Sequence, residues 1–311
     1  MTEGHLPTNT LGRTGLRVTT LGYGAMALNN RGGPAVTKDQ ARVILDAVLD
    51  AGINFIDTSP DYGPSEELIG ASIAGRRDEY VLASKCGCNV QPDPVDGPRP
   101  KHIYTAENVV AGVERSLQRI KTDRIDLVQF HGSPSLAELE EHGAIEALQT
   151  LQQAGKVRFI GMSGVLPDLP DHIDLGVFDA FQIPYSAVQR EHEALITRAA
   201  DLGAGTVIRG GVARGTPAAD KGWGVKRLPE LTDERPRHLW EEAQLDDLLE
   251  GASRMEFILR YTLSLPALHT TIVGTANVNH LRENLEAARK GPLPSDIYEH
   301  ATRRLDAAVA A

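Results

Sequence analysis

Four polar residues capable of acid–base chemistry stand at or just beyond the ends of apolar runs in this sequence. Asp57 and Tyr62 share the segment INFIDTSPDYG, Lys85 ends YVLASK, and His131 ends RIDLVQFH. A free tyrosine has a pKa of about 10, so it exchanges a proton near neutral pH only with help from a nearby cation. We expect Lys85 to be that cation and Asp57 to be the carboxylate that keeps Lys85 charged. His131 is then placed to orient a carbonyl group.

Each of these residues also has an ordinary structural interpretation. An acid after a strand commonly caps the next helix, a loop tyrosine packs, and a lysine or histidine at a strand end is often a satisfied surface group. Their coincidence at the ends of successive strands favours a catalytic site, because perturbed titratable groups cluster at such sites.

The elements that must position these residues alternate between short β-branched runs and segments of helical periodicity, which is typical of βα units. The eight candidate strands are Thr20–Ala25, Ile53–Thr58, Tyr80–Lys85, Ile125–Phe130, Val157–Met162, Ala180–Ile183, Thr206–Arg209 and Thr271–Gly274. Eight repeats predict an α/β fold of the closed (β/α)8 TIM-barrel type, since open doubly wound sheets usually have about five to seven strands. We expect residues 1–311 to form one such domain, with the four polar residues at its C-terminal mouth.

Local signals add detail to this barrel. The segment Asn9–Val18 predicts an N-terminal β-hairpin with a two-residue turn around Gly15, lying across the bottom of the barrel. Thr37 with Gln40 predicts a capping box, and Pro64–Glu67 predicts the start of a second helix.

Two long segments, 86–104 and 211–251, are predicted to be loops that overhang the C-terminal face. Substrates bind at that face in barrels of this type. Apolar side chains that could line a pocket there are Met26, Tyr104, Trp223 and Trp240.

Composition narrows the classes of partner. A formal net charge of −10 and a pI of about 5.5 argue against nucleic acid and against an anionic membrane surface. The sequence has no run of about 18 apolar residues and no signal-peptide core, so a cytoplasmic protein acting on a small molecule is expected. No sequence feature indicates an oligomeric state.

Cys86 and Cys88 are too close in sequence for a useful disulfide framework and have no partner at zinc-like spacing, so no metal is expected. A metal-dependent barrel hydrolase would need several strand-end ligands, and only His131 and Asp57 qualify.

The sequence resembles the aldo-keto reductase family from about Asn9 to about Ala288. The family signature has an Asp-Thr-x-x-x-Tyr-Gly loop, here Asp57–Gly63, followed by a strand-ending lysine and a strand-ending histidine, here Lys85 and His131. The flanking segments LGRTGLRV, GVERSLQRIKTDRIDLVQFH, GKVRFIGMSG and FQIPYS also look like the family.

The resemblance implies reduction of a small-molecule aldehyde or ketone, in which a nicotinamide cofactor delivers hydride to the carbonyl carbon and Tyr62 protonates the oxygen. Relatives that reduce C=C bonds carry glutamate in place of the histidine, so His131 favours carbonyl reduction. NADPH is the expected cofactor, and NADH stays open.

The resemblance also implies cofactor contacts. Ser163 and Gln182 would hold the carboxamide, Tyr185 would stack on the nicotinamide ring, and Gly210 and Gly211 would lie beside the pyrophosphate. The positions expected at the adenosine and its 2′-phosphate are Gly274, Thr275, Asn277, His280 and Asn284, and Gly24 and Arg209 are further expected cofactor contacts. Two departures stand out: Gly164 replaces the usual asparagine after Ser163, and Asn277 stands where a basic residue often meets the 2′-phosphate, with Arg282 the nearest cation.

The segment Gly22–Ala27 matches the dinucleotide fingerprint Gly-x-Gly-x-x-Gly/Ala, but helix-breaking residues follow it. Gly24 is therefore expected to allow close approach of the first strand to the cofactor. Two other functions remain open: an NAD(P)+-dependent sugar or secondary-alcohol dehydrogenase, and a cofactor-binding, redox-sensing regulatory subunit with little turnover.

Overall fold

Eight parallel strands close into a barrel in the computed structural model, which describes residues 5–29, 35–90, 102–212 and 235–310. The barrel strands are β3 Leu21–Gly24, β4 Phe55–Asp57, β5 Val81–Cys86, β6 Ile125–Phe130, β7 Val157–Ser163, β8 Ala180–Pro184, β9 Gly205–Arg209 and β10 Thr270–Val273. They follow chain order around the barrel, and β10 closes it by pairing with β3, Thr271 opposite Leu21. The predicted TIM barrel is confirmed, and no strand boundary differs from its sequence-based estimate by more than two residues.

The helices surround the barrel. They are α1 Lys38–Asp50, α2 Ser65–Ser72, α3 Ala106–Ile120, α4 Leu136–Glu141, α5 Ala144–Gln153, α6 Leu169–Leu175, α7 Glu193–Asp201, α8 Arg235–Glu242, α9 Arg254–Leu263, α10 Val278–Arg289 and α11 Ser295–Ala310. In α3, for example, Val109, Val113 and Leu117 recur every four residues and are buried, so one apolar stripe faces the barrel. None of the helices in the described ranges combines the length and apolarity needed to cross a lipid bilayer.

The predicted helix starts are present. Thr37 and Gln40 form a capping box at the start of α1. In α2, Pro64 occupies the N-cap position, and Glu66 in the first turn is buried, where it accepts a hydrogen bond from Ser84 of β5 at 2.9 Å. The dinucleotide-like Gly22–Ala27 segment runs into a short 3-10 helix rather than an α-helix, and α1 begins only at Lys38.

The N-terminal hairpin pairs β1 Thr8–Thr10 with β2 Arg17–Thr19 in antiparallel register. Its connection is longer than the predicted two-residue turn: residues 11–16 intervene and include a 3-10 turn at Gly12–Thr14. The longer connection is needed because Leu11 is fully buried under the barrel, with its side chain against the backbone of Gly205. The residues of this lower cluster are Leu11, Leu16, Val18, Phe55, Ala83, Leu127, Ala180 and Val207.

The two long connections are only partly described. Residues 91–101 and 213–234, including Trp223, lie outside the described residues. The sequence predicted a loop over all of 211–251, but its second half contains α8 and a 3-10 helix at Leu245–Leu248. Trp240 of α8 is fully buried against Phe257, so it packs the helical layer rather than lining a pocket.

Candidate active site

The carboxyl ends of three neighbouring strands bring the four predicted catalytic residues to one mouth of the barrel. Asp57 ends β4, Lys85 lies near the end of β5, and His131 follows β6 directly. Tyr62 lies in the turn between β4 and α2. Parallel strands point the same way, so these ends share the C-terminal face, where barrel enzymes carry their chemistry.

Lys85 and Asp57 form a buried ion pair. The Lys85 ammonium donates to Asp57 Oδ1 and to the Thr58 carbonyl oxygen, the latter at 3.1 Å, and the two charged side chains are 0% and 2% exposed. Asp57 Oδ1 also accepts from Gln129 Nε2 at 3.2 Å and from Gln182 Nε2 at 2.8 Å. A carboxylate with this many donors is stable without water, which explains how two charges persist inside the barrel.

Tyr62 differs from expectation in its electrostatics. Burial, followed by the negative charge of Asp57, raises the pKa of the Tyr62 phenol, and the opposing positive charge comes from Arg209. Among the described residues, no hydrogen bond joins Tyr62 to Lys85. The expected lowering of this pKa by Lys85 is not found in this structure, where the ammonium donates to Asp57 and to the Thr58 carbonyl oxygen, and the phenol stays protonated at neutral pH.

His131 faces the Tyr62 ring edge to face, with ring centroids 6.1 Å apart. Burial lowers the pKa of the His131 imidazole, helped by the charge of Lys85 and opposed by contact with Asp61. The ring is therefore neutral near pH 7, with one nitrogen as donor and the other as acceptor. Its backbone N–H donates to the Cys86 carbonyl oxygen at 3.1 Å, which fixes its position beside β5.

Three side chains that sequence reasoning did not assign to the site surround His131. Asp61 Oδ2 lies 3.5 Å from His131 Nδ1 and 3.3 Å from His102 Nε2, and Cys88 Sγ lies 3.3 Å from His131 Nδ1. Burial opposes ionisation of Asp61, but the imidazoles of His102 and His131 outweigh it and hold the pKa of that carboxyl below its usual range. Chain spacing gave no sign of this grouping, because its members come from three separate connections.

The residues expected at the carboxamide are both buried: Ser163 is the last residue of β7, and Gln182 lies in the middle of the adjacent strand β8. Ser163 Oγ donates to Gln182 Oε1 at 3.4 Å, and Gln182 in turn donates to Asp57. The expected amide contacts and the ion pair are thus parts of one hydrogen-bonded group.

Tyr185 is not available where the resemblance placed it. Its ring is fully buried and stacks on that of Tyr261 of α9, with the ring planes inclined by 25° and the centroids 6.4 Å apart. A nicotinamide could stack on this ring only after the side chain left the helical layer, so the expected stacking is not supported by the structure.

The glycines expected along the cofactor are explained first by backbone packing. A Cβ on Gly274 would come within 2.4 Å of the Gly24 carbonyl oxygen, and one on Gly211 within 2.4 Å of Thr271 Oγ1. Gly210 has φ +72°, the left-handed region that favours glycine. Glycine is therefore required at these positions whether or not a ligand lies beside them.

The remaining expected contacts surround the N-terminus of α10. Asn277 is its N-cap, and Thr275 Oγ1 accepts the Asn277 N–H at 3.0 Å. His280 and Asn284 follow on the same helix and are half-buried, and Arg282 is exposed. Asn277 Oδ1 accepts the Asn279 N–H at 2.9 Å. The helix dipole and backbone N–H groups at a helix N-terminus favour an anionic group, so this region fits a phosphate.

Comparison with known proteins identifies what the chain is similar to. The model of the aldo/keto reductase family matches residues 20–303. The chain is similar to the uncharacterized oxidoreductase YqkF of Bacillus subtilis (strain 168), at 30% identity over 89% of this chain and 90% of that protein. It is also similar to L-galactose dehydrogenase of Arabidopsis thaliana, at 28% identity over 89% of this chain and 86% of that protein. Among solved structures, the holo form of aldo-keto reductase AKR11C1 from Bacillus halodurans aligns with a TM-score of 0.80 and 26% identity, over 96% of both chains.

Proposed function

Because the chain belongs to the aldo/keto reductase family, whose members are oxidoreductases, we propose that it reduces the carbonyl group of an aldehyde or ketone to an alcohol. The hydride donor is NAD(P)H, with NADPH the expected form, and Tyr62 is the general acid. The observation that carries this proposal is the meeting of Tyr62, His131 and the Asp57–Lys85 pair at one barrel mouth.

The residues at the mouth suit a dinucleotide at both of its ends. Ser163 and Gln182 offer a hydroxyl and an amide next to Asp57, and the exposed N-terminus of α10 offers backbone N–H groups beside Asn277. When bound, the reduced nicotinamide supplies a hydride. Tyr185 takes no part in this proposal, because its ring packs against Tyr261.

The side chains of the mouth can then complete the reduction. The Tyr62 phenol remains protonated and holds the proton that the carbonyl oxygen requires as negative charge develops on it. His131, as a neutral imidazole, orients that oxygen by a hydrogen bond. The charge of Arg209 opposes the burial of the phenol and stabilises the phenolate that remains after proton transfer.

Replacement of Tyr62 by phenylalanine tests the acid assignment. Oxidation of NADPH or NADH is followed by absorbance with a panel of aldehydes, ketones and aldoses, and cofactor affinity is measured by titration. Tyr62→Phe should lower kcat roughly 100- to 10,000-fold, because it removes the acid, and should leave the cofactor Kd unchanged.

Tyr80→Phe is the matched control. The Tyr80 hydroxyl is buried without a hydrogen-bond partner among the described residues, and it precedes β5 at the opposite end of the strand from Lys85. This variant should retain wild-type turnover. Near-normal turnover in Tyr62→Phe would reject the assignment.

A second candidate is the reverse reaction, oxidation of a sugar or secondary alcohol with NAD(P)+, which the similarity to L-galactose dehydrogenase favours. Assays in both directions with the same substrate pairs separate the two. A single cofactor oxidation per chain, without further turnover, would instead favour a redox-sensing subunit.

A further inference from the structure

Four side chains of types that can bind a metal, here called the mouth cluster, lie beside the proposed acid. Its members are Asp61, Cys88, His102 and His131, and one ligand atom from each lies within 4.8 Å of all the others. Three of the separations are 3.3, 3.5 and 3.3 Å, measured from Asp61 Oδ2 to His102 Nε2, from Asp61 Oδ2 to His131 Nδ1, and from Cys88 Sγ to His131 Nδ1.

The backbone holds the cluster in place. Cys88 and His102 face each other across an isolated antiparallel bridge, and the neighbouring Ile103 N–H donates to the Gly87 carbonyl oxygen at 2.7 Å. Tyr104 stacks on His102 and donates its hydroxyl hydrogen to the His131 carbonyl oxygen at 2.5 Å. The segment that carries His102 is therefore fastened to the connections that carry Cys88 and His131.

Two glycines leave the space in which His102 and Tyr104 pack against the mouth cluster. Gly87 has φ +80°, and a Cβ there would lie 2.6 Å from the Tyr104 ring. Gly132 has φ +95°, and a Cβ there would lie 2.9 Å from His102 Nδ1. Glycine is required at both positions for two reasons, the positive φ and the lack of space for a Cβ. The backbone around the cluster therefore favours the approach of His102 to His131.

Hydrogen bonding within the protein leaves part of the cluster unsatisfied. Asp61 Oδ2 and His102 Nε2 are buried and face each other as a 3.3 Å ion-pair contact, but neither atom has a well-directed hydrogen bond in the described part of the chain. Buried polar atoms in this state are rare, and an ion that has not been accounted for is one recognised explanation.

The donor set and its spacing suit zinc. Tetrahedral Zn²⁺ binds carboxylate oxygen, imidazole nitrogen and thiolate sulfur at about 2.0–2.3 Å, which places neighbouring ligand atoms roughly 3.3–3.8 Å apart. We propose that the mouth cluster binds one divalent cation of the zinc type. One carboxylate and one thiolate balance its two positive charges, and the nearby ammonium of Lys85 is already paired with Asp57.

The cation would act on the reaction through His131. A metal bound to Nδ1 leaves the ring hydrogen on Nε2, on the other side of the imidazole, and so fixes the tautomer that can donate to a carbonyl oxygen. The metal thus positions a residue of the proposed mechanism. Binding itself does not rest on the proposed reaction, and it is measured without substrate or nicotinamide.

Cobalt serves as the spectroscopic probe. The full-length chain without a histidine tag is stripped with a chelator and titrated with Co²⁺, and Zn²⁺ is then added in competition. We expect one equivalent of Co²⁺ to give the intense visible bands of four-coordinate cobalt and a thiolate-to-metal band in the near ultraviolet, both removed by Zn²⁺.

Cys88→Ser should abolish the near-ultraviolet band, and His102→Ala should weaken Co²⁺ binding by more than the roughly 10- to 100-fold that loss of an outer-shell partner costs. The matched controls are Cys86→Ala, two residues away and outside the cluster, and His142→Ala, an exposed histidine. Both should bind cobalt as the wild type does, with circular dichroism confirming that every variant is folded.

Failure of the wild type to bind one equivalent, or survival of the thiolate band in Cys88→Ser, would overturn the proposal. So would equal loss of binding in the control variants. Because none of these measurements uses turnover, a chain that binds cobalt but reduces no carbonyl rejects the proposed function alone.

Discussion

At the scale of single residues, the Asp57–Lys85 pair anchors the mouth. The carboxylate accepts hydrogen bonds from Lys85, Gln129 and Gln182, which belong to β5, β6 and β8. Removing one member of a buried pair leaves the other charge without compensation, and this costs more than the pair contributes in total. Substituting one or both members of the pair therefore measures the cost of an unpaired charge in the barrel interior.

Lys85→Met should lower the free energy of unfolding by about 3–5 kcal/mol, because the Asp57 carboxylate then stays buried without its cation. The double variant Asp57→Asn with Lys85→Met should recover part of that loss, since neither charge remains. Denaturant unfolding followed by circular dichroism measures both. Arg237→Met is the control, because the Arg237–Glu241 pair is about half exposed and such pairs contribute about 0–1 kcal/mol. Equal effects of Lys85→Met and Arg237→Met would contradict this account.

The sequence was sufficient for residues whose position follows from strand ends, and insufficient for those brought together by loop contacts. Asp57, Lys85 and His131 could be placed because each ends an apolar run that reads as a strand. The approach of His102 to Cys88 depends on a single backbone bridge and on space at Gly87 and Gly132, which leave no periodic signal. Tyr185 was misjudged for a similar reason, because its burial against Tyr261 depends on the packing of the outer helices.

At the scale of elements, Asp126 ties neighbouring strands together at the lower end of β6. Its carboxylate accepts from Arg77 at 2.6 Å, from Arg158 of β7 at 2.8 Å and from the Leu82 N–H of β5 at 2.9 Å. Burial opposes ionisation, but the charge of Arg77 and these hydrogen bonds outweigh it and hold the pKa of Asp126 below its usual range. The link between strands therefore depends on pH.

Asp126→Asn should destabilise the chain by about 1.5–3 kcal/mol at pH 7, because charge-assisted hydrogen bonds are lost. Folding lowers the pKa of Asp126 in the wild type. The stabilisation that the Asp126 carboxylate provides is therefore complete above the unfolded-state pKa of about 3.9, and it is lost as the pH falls through the lower folded-state pKa. The difference in unfolding free energy between the wild type and Asp126→Asn should accordingly become smaller below about pH 4. Unfolding free energies measured between acid and neutral pH decide the matter, and a difference that does not change with pH would count against the assignment.

Element positions followed from the sequence wherever burial imposes a periodic pattern. The β-branched runs gave every barrel strand, and Thr37 with Gln40 gave the start of α1. α8 was missed, because its sequence RPRHLWEE carries many charges and only a short apolar face. The predicted hairpin turn was shorter than the observed connection. The extra length serves the burial of Leu11 beneath the barrel, which is a tertiary contact that local sequence does not indicate.

At the scale of the whole molecule, the barrel separates stability from chemistry. The lower cluster, which includes Leu11, Phe55 and Leu127, closes the N-terminal end, while Tyr62 and His131 lie at the opposite end. The polar residues of the proposed mechanism and the apolar residues of the lower cluster thus occupy opposite ends of the barrel. A cavity in the lower cluster should therefore lower the free energy of unfolding without changing the geometry of the barrel mouth.

Leu11→Ala creates that cavity, because Leu11 is fully buried and its side chain lies against the Gly205 backbone, which has no side chain to fill the space. Truncation should lower the unfolding free energy by about 2–5 kcal/mol, the cost of lost burial plus a cavity. At temperatures well below the unfolding transition, kcat and KM for whichever carbonyl substrate the wild type accepts should stay unchanged. Leu202→Ala is the control: its side chain is 55% exposed, and the change should stay within about 0.5 kcal/mol. A fall in kcat parallel to the loss of stability, in folded Leu11→Ala protein, would mean that the two ends of the barrel are coupled and that the mouth depends on the packing beneath it.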